Sequence, residues 1–124
     1  MKTIVAGSRD INSPKMVKEA IEACDWEITE IVSGTARGVD RMGELVAKSK
    51  GIPVKQFPAN WDAFGRRAGI VRNTEMARYA DCLCAIWNGH SPGTKHMIDE
   101  AYRQGLKVHV LLVKDVPSLT GSFL

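Results

Sequence analysis

Short apolar stretches alternate with segments of helical periodicity along almost the whole chain. The stretches rich in β-branched and other apolar residues are predicted strands, over 3–7, 30–34, 54–57, 82–87 and 107–113. Apolar residues recur at helical spacing over 13–26, 37–50, 74–80 and 95–104. This alternation favours an α/β fold with a parallel sheet, because parallel strands need long crossover connections that helices supply.

Right-handed crossovers place helices on both faces of such a sheet. We therefore predict a three-layer Rossmann-like sandwich with five parallel strands in the order 3-2-1-4-5. The 124 residues are enough for one domain, and 114–124 shows no pattern and is predicted to be a C-terminal tail. Ligands of these sheets bind where the winding direction reverses, which here lies between the loops after the first and fourth strands.

The composition is that of an ordinary soluble protein. With 17 basic and 14 acidic residues, the net charge of +3 is too small by itself to indicate a nucleic-acid partner, although it suits a small anionic ligand. No apolar run approaches the ~20 residues of a membrane span, and the amino terminus does not have the pattern of a signal peptide. Cys24, Cys82 and Cys84 lack the spacing of a disulfide framework or a metal site. A reducing cytoplasm is the expected compartment.

Polar loops follow the predicted strands and meet at one edge of the sheet. They cover 7–10, 33–41, 58–61 and 88–94, and the segment 65–73 adds further polar residues. The arginines of these loops are expected to cluster at that edge: Arg9, Arg37, Arg41, Arg66, Arg67 and Arg72.

The stretch "SGTARGVDR" after the second strand has the residue types of an anion-binding turn. Gly34 and Gly38 let a phosphate approach the backbone, and a helix start leaves N–H groups unpaired. Thr35 is a candidate helix cap or ligand donor. Asp40 either orients Arg37, three residues earlier, or accepts a hydrogen bond from a ribose hydroxyl. A tight turn with a capped helix and solvated charges is the purely structural alternative.

Two other turns repeat these features. In "SPGTKHM", Gly93 permits a close approach, and Thr94 is a predicted helix N-cap. After the first strand, Gly7, Ser8 and Arg9 offer phosphate contacts, with Arg9 as a surface residue being the alternative. Three such turns at one edge indicate an anionic ligand more strongly than any one of them.

The segment 58–73 has no clear periodicity. Arg72 and Asn73 stand before a predicted helix, so Asn73 is either its N-cap or part of the site, and Arg72 either reaches the site or lies outside it. Trp61 either stacks on a base or anchors the loop in the core. His96 is expected to be structural or exposed, and no metal-ligand spacing is present.

The series "VAGSRD", "IVSGTARGVDR", "GIPVKQFPANWDAFGRRAGIVRNTEMARYAD" and "SPGTKHMIDEA" resembles the SLOG superfamily, which includes the DprA/Smf and Lonely Guy-like proteins. The small YpsA-related (YspA-type) branch is the most similar, over 3–113. The resemblance implies a Rossmann-like domain that binds a nucleotide or nucleotide-derived ligand. We expect that no cofactor is required. The family pocket corresponds here to Gly7, Ser8, Arg9, Gly34, Arg37, Gly38, Asp40, Arg72, Asn73, Gly93 and Thr94.

The chain departs from this superfamily at the catalytic position. Lonely Guy enzymes carry PGGxGTxxE, in which the glutamate serves N-glycosidic cleavage, and Met97 stands at that position here. Asp99 would point elsewhere on the helix, and Glu100 lies one turn further on. Binding is therefore favoured over phosphoribohydrolase activity, and Asp40 and Glu100 are weak catalytic candidates.

The sequence is compatible with three functions. The first is binding or sensing of ADP-ribose, NAD or a free nucleotide. The second is a hydrolase or transferase acting on a nucleotide's N-glycosidic or phosphate bond through Asp40 or Glu100. The third is single-stranded nucleic-acid binding through arginines together with Trp61 and Phe64. A membrane partner is not expected, and the tail leaves room for a homo-oligomer.

Overall fold

A parallel sheet of five strands forms the centre of the structure, a computed structural model that describes residues 1–114. The strands are β1 (Lys2–Gly7), β2 (Glu30–Ser33), β3 (Val54–Gln56), β4 (Cys82–Trp87) and β5 (Lys107–Leu112). Their order is β3-β2-β1-β4-β5, and every neighbouring pair is parallel. The predicted sheet, its direction and its strand order are confirmed.

Helices cover both faces of the sheet. They are α1 (Pro14–Glu22), α2 (Val39–Lys50), the short α3 (Trp61–Phe64), α4 (Ala68–Tyr79) and α5 (Pro92–Arg103), with a 3₁₀ turn at Gly65–Arg67. Successive residues of β1 point to opposite faces: Val5 packs with α1 and α2, whereas Ile4 packs with α4 and α5. The three-layer Rossmann-like sandwich is therefore confirmed.

Local chemistry sets the first residue of two helices. Ser13 caps α1, since its hydroxyl accepts a hydrogen bond from the Met16 N–H (3.1 Å), and Pro14 follows in the first turn. At α5 the prediction of Thr94 as the N-cap is wrong. Ser91 occupies that position and Pro92 begins the helix, which places Thr94 in its first turn.

The prediction that the third of the four predicted helices begins at residue 74 is also wrong. Helix α4 begins at Ala68, so Arg72 and Asn73 lie inside it, and Asn73 is a buried interior residue instead of an N-cap. The inward-facing polar residues and the exposed Ile70 conceal the helical period of this segment. Thr35 is likewise no cap, because Gly38 precedes α2.

The remaining structural observations concern the described part of the chain. The predicted tail, 114–124, lies outside it except for Lys114. Within residues 1–114, no helix is long and apolar enough to cross a membrane. In the same range, no three His, Cys, Asp or Glu side chains are grouped so that they could hold a metal ion.

Candidate functional site

A cleft of about 580 Å³ opens at the carboxyl edge of the sheet, where β1 and β4 end side by side. Its walls come from the turns after β1, β2 and β4 and from helices α3, α4 and α5. This is the place where the strand order reverses, so the cleft lies where Rossmann-like sheets bind ligands. We refer to it below as the cleft.

The turn after β1 divides its residues between the cleft and the fold. Arg9 and Asp10 line the cleft. Ser8 is fully buried and braces the turn after β4, because its hydroxyl accepts a hydrogen bond from the Asn88 N–H (3.0 Å) and lies 3.1 Å from the Ser91 hydroxyl. Of the predicted residues here, Gly7 and Arg9 lie at the cleft, and Ser8 lies behind it.

Three N–H groups of the turn between β2 and α2 donate to acceptors within the protein. The Thr35 N–H donates to the Ser33 hydroxyl (3.1 Å), and the Ala36 N–H donates to Asp40 Oδ2 (3.2 Å). The Val39 N–H donates to the Ser8 carbonyl (3.3 Å). Only Ala36 and Asp40 of this turn line the cleft.

Gly38 allows this turn to sit directly against the turn after β1. Its φ is +77°, and a Cβ there would lie 2.4 Å from the Ser8 carbonyl oxygen. A side chain at this position would therefore meet both an unfavourable backbone conformation and a backbone clash. The glycine serves contact between two parts of the protein, a role different from the ligand approach predicted for it.

Asp40 is a buried carboxyl group in the cleft wall, with 5% of its surface exposed. Burial raises the pKa of Asp40 to about 6, against the opposing effects of the Ala36 N–H and the Arg72 charge. Its cationic neighbour is Arg72: a Cβ on Gly34 would lie 2.7 Å from Arg72 Nη1 and 2.8 Å from Asp40 Oδ2. The interpretation that Asp40 orients Arg37 is wrong, since Arg37 is exposed and outside the cleft.

Arg72 and Asn73 begin a chain of hydrogen bonds between three walls of the cleft. Arg72 Nη1 donates to the Gly34 carbonyl, and Arg72 Nε donates to Asn73 Oδ1 (3.2 Å). Asn73 Nδ2 donates to the Gly93 carbonyl (3.3 Å) and lies 3.1 Å from His96 Nδ1. The chain therefore joins the β2–α2 turn, helix α4 and the start of α5.

The turn between β4 and α5 is open toward the cleft. Ser91 precedes the helix, but its side chain makes no capping hydrogen bond. Within residues 1–114, no hydrogen bond uses the backbone N–H of Gly93 or Thr94. A Cβ on Gly93 would meet no atom within 4 Å. The positive end of a 12-residue helix thus borders empty space.

One rim of the cleft is aromatic and basic. Trp61 is 54% exposed and lines the cleft together with Arg66 and Ile70. Its interpretation as a core anchor is therefore wrong. Three of the six predicted arginines line the cleft, and three do not: Arg9, Arg66 and Arg72 do, whereas Arg37, Arg41 and Arg67 do not.

Several cleft residues were not predicted, and one catalytic candidate lies elsewhere. His96 lines the cleft, although its sequence context indicated a structural or exposed residue. Met97, at the position of the Lonely Guy glutamate, forms an apolar part of the wall. Glu100 does not line the cleft, and hydrogen bonds from Arg103 and Gln104 lower its pKa.

The model of the YspA, cpYpsA-related SLOG family matches residues 1–64, just over half of the chain. The chain belongs to this family. The match includes the turns after β1 and β2, whereas α4 and the β4–α5 turn lie beyond it. The YspA-type resemblance inferred from the sequence motifs is therefore confirmed.

The chain is also similar to two named proteins. The chain is 37% identical over 84 residues to the Gene 61 protein of Mycobacterium phage D29. The matched region covers 63% of this chain and 67% of the phage protein. Its fold is similar to that of DNA processing protein A (DprA) from Streptococcus pneumoniae, with a TM-score of 0.71 at 19% identity. That similarity covers 95% of this chain and 52% of DprA, so the chain spans about half the length of that structure.

Proposed function

We propose that the cleft binds a nucleotide or nucleotide-derived ligand such as ADP-ribose, NAD or a free nucleotide. The observation that supports this most is the open β4–α5 turn, where the N–H groups of Gly93 and Thr94, which have no partner within residues 1–114, border a cleft that also contains arginines. Backbone N–H groups at a helix start suit a phosphate. A reducing cytoplasm suits a protein whose three cysteines are all free.

The remaining walls suit the other parts of such a ligand. Arg9, Arg66 and Arg72 outnumber the two acidic side chains of the cleft, Asp10 and Asp40, so an anion is favoured. Trp61 offers an exposed aromatic face, and base–aromatic stacking contributes about 1–3 kcal/mol. One cleft therefore combines sites for a phosphate and for a planar base.

Calorimetric titration with AMP and ADP-ribose tests the proposal, and two neighbouring arginines supply a matched pair of variants. Arg66 lines the cleft and Arg67 does not, although both are exposed and carry the same charge. We expect Arg66→Ala to weaken binding roughly three- to tenfold because it removes a charged contact, and Arg67→Ala to change it less than about twofold. Equal effects of the two variants, or no binding to the wild-type protein, would contradict the proposal.

A hydrolase acting on the N-glycosidic bond is the second candidate, and Asp40 is the observation that favours it. A carboxyl group with a pKa of about 6 in a cleft can donate a proton to a departing base while water adds to the anomeric carbon. Incubation with AMP, followed by chromatography for free adenine, tests this activity. Turnover that Asp40→Asn abolishes without loss of AMP binding would support it, and turnover that survives the substitution would exclude Asp40.

Single-stranded nucleic-acid binding is the third candidate. Trp61 and Phe64 are 54% and 47% exposed and lie beside Arg66 and Arg67, a combination that offers stacking and charge. The fold is also shared with a protein named for DNA processing. Fluorescence anisotropy with a labelled oligonucleotide tests this function, because such binding must weaken as salt is added. Affinity that does not change with salt would rule it out.

A further inference from the structure

We propose that Asn73 holds the His96 ring in its Nε2–H tautomer, and that His96 is a specificity-determining residue that donates this N–H to an acceptor atom of the ligand. His96 lies in α5, one turn beyond the cleft residue Pro92. The proposed contact between His96 and the ligand rests on the proposed nucleotide-binding function. The proposed tautomer rests only on hydrogen bonds within the protein.

The hydrogen bond from Arg72 fixes the orientation of the Asn73 amide. Arg72 Nε always carries hydrogen and can only donate, so the Asn73 atom 3.2 Å away must be the acceptor Oδ1. The amide nitrogen Nδ2 then faces the Gly93 carbonyl at 3.3 Å, which accepts a hydrogen bond from it. Both contacts require the same orientation of the amide.

The Asn73 amide in turn sets the tautomer of His96. Asn73 Nδ2 carries two hydrogens, of which one is directed to the Gly93 carbonyl and the other to His96 Nδ1 at 3.1 Å. A ring nitrogen that faces a donor must accept, so Nδ1 has no proton and the neutral ring carries its proton on Nε2. A proton on Nδ1 would point at the amide hydrogens.

The remaining N–H of His96 is available to a ligand. His96 lines the cleft, and within residues 1–114 no hydrogen bond uses its Nε2. The free N–H can therefore pair with a ligand acceptor, such as a phosphate oxygen, a ring nitrogen or a carbonyl oxygen, and it rejects a donor at the same place. Asn73 is 7% exposed and uses both of its amide hydrogens internally, so it is a positioning residue and not a ligand contact.

Nuclear magnetic resonance of the free protein tests the tautomer directly. Long-range ¹H–¹⁵N spectra at pH 8 distinguish the two neutral forms, and His96→Gln identifies the His96 signals among the three histidines. We expect the Nε2–H form in the wild-type protein. In Asn73→Asp the carboxylate should accept a hydrogen bond from Nδ1 and shift the ring to the Nδ1–H form. The Nδ1–H form in the wild-type protein would overturn the proposal whether or not the variant folds.

Two substitutions of His96 test its contact with the ligand, with AMP as the probe. A Gln amide places its N–H₂ close to the position of Nε2, whereas an Asn amide reaches only to the position of Nδ1. We expect His96→Gln to bind AMP within about threefold of the wild-type protein and His96→Asn to bind it roughly tenfold more weakly, the effect of one lost hydrogen bond. Equal affinities of the two variants would overturn the assignment of His96.

The NMR spectra and the AMP titrations together distinguish an error in the role of His96 from an error in the proposed function. If AMP and ADP-ribose do not bind the wild-type protein, the proposed function is wrong, and so is the proposed contact between His96 and the ligand. The spectra still decide whether Asn73 sets the tautomer. If AMP binds and both His96 variants bind it equally, the proposed function stands and the role of His96 is wrong.

Discussion

The turn between β2 and α2 and the turn between β4 and α5 have similar compositions but differ in where their unpaired N–H groups lie. In the first, Thr35, Ala36 and Val39 donate their N–H groups to acceptors within the protein. The N–H groups of Arg37 and Gly38 have no partner within residues 1–114, but neither residue lines the cleft.

In the second turn, the N–H groups of Asn88, His90 and Ser91 also donate within the protein. Those of Gly93 and Thr94 have no partner within residues 1–114, and both residues line the cleft. We call these the closed turn and the open turn.

This difference shows that glycine and polar residues at a strand-to-helix connection can serve either contact between two loops or access to a helix start. In the closed turn they let two loops pack together, because Gly38 lies against the carbonyl of Ser8. In the open turn they leave a helix start accessible. The sequence "SGTARGVDR" is thus mainly a structural connection that contributes Asp40 to the cleft, whereas "SPGT" borders the space for a ligand.

The largest expected effect is the difference in stability between a variant of Gly38, in the closed turn, and a variant of Gly93, in the open turn. Gly38→Ala should lower the free energy of unfolding by about 3–5 kcal/mol, because it combines a positive φ with a backbone clash. Gly93→Ala should change it by less than about 1 kcal/mol, since its Cβ would meet no atom within 4 Å. Urea denaturation measures both. Similar losses for the two variants would remove the distinction between the turns.

The next effect concerns the charge of Asp40. Its pKa is raised to about 6 in the folded protein, from an ordinary value of 3.8, so the folded protein binds this proton more tightly than the unfolded chain. The stabilising contribution is complete below about pH 4 and is lost as the pH rises through 6. Two pKa units correspond to about 3 kcal/mol.

Asp40→Asn removes that titration and isolates its contribution. Relative to the wild-type protein, the variant should gain about 3 kcal/mol of unfolding free energy between pH 4 and pH 7.5, measured by urea denaturation across this range. The gain arises because the wild-type protein must hold a buried carboxylate at neutral pH. A constant difference between the two proteins at all pH values would show that Asp40 titrates normally.

The smallest effect concerns strain in the closed turn. Thr35 is a β-branched residue with a φ of +65°, a conformation that costs it about 1–2 kcal/mol. Thr35→Gly should therefore raise the free energy of unfolding by about 0.5–1 kcal/mol, after the greater flexibility of glycine in the unfolded chain is subtracted. The matched variant Thr94→Gly, in the first turn of α5, should instead lower it. Stabilisation by Thr94→Gly would contradict this contrast.

The sheet and its order were predictable because burial on both faces leaves a direct trace in the sequence. The apolar run of β4 and the helical period of α2 and α5 each reflect one dominant environment. The start of α4 was not predictable in this way. Its inner face includes Arg72 and Asn73 because it forms a cleft wall, so the apolar period that marks a packed helix is absent.

The site was predictable in outline but not in its contacts. The topology placed Arg9, Asp40 and Gly93 at one edge, and all three line the cleft. The partner of Asp40 could not be deduced, because Arg37 is close in sequence whereas Arg72 reaches it only through the tertiary fold. His96 was missed for the same reason, since its hydrogen-bond partner Asn73 lies on another helix.

Titration of the ¹⁵N-labelled protein with ADP-ribose, followed by amide chemical shifts, tests the contrast between the two turns most directly. We predict that the amide signals of Gly93 and Thr94 shift most, because their free N–H groups receive the phosphate, and that those of Thr35 and Val39, which donate within the protein, change little. Large shifts in Thr35 and Val39 with unchanged signals for Gly93 and Thr94 would contradict the account, since the closed turn would then be the one that binds the ligand.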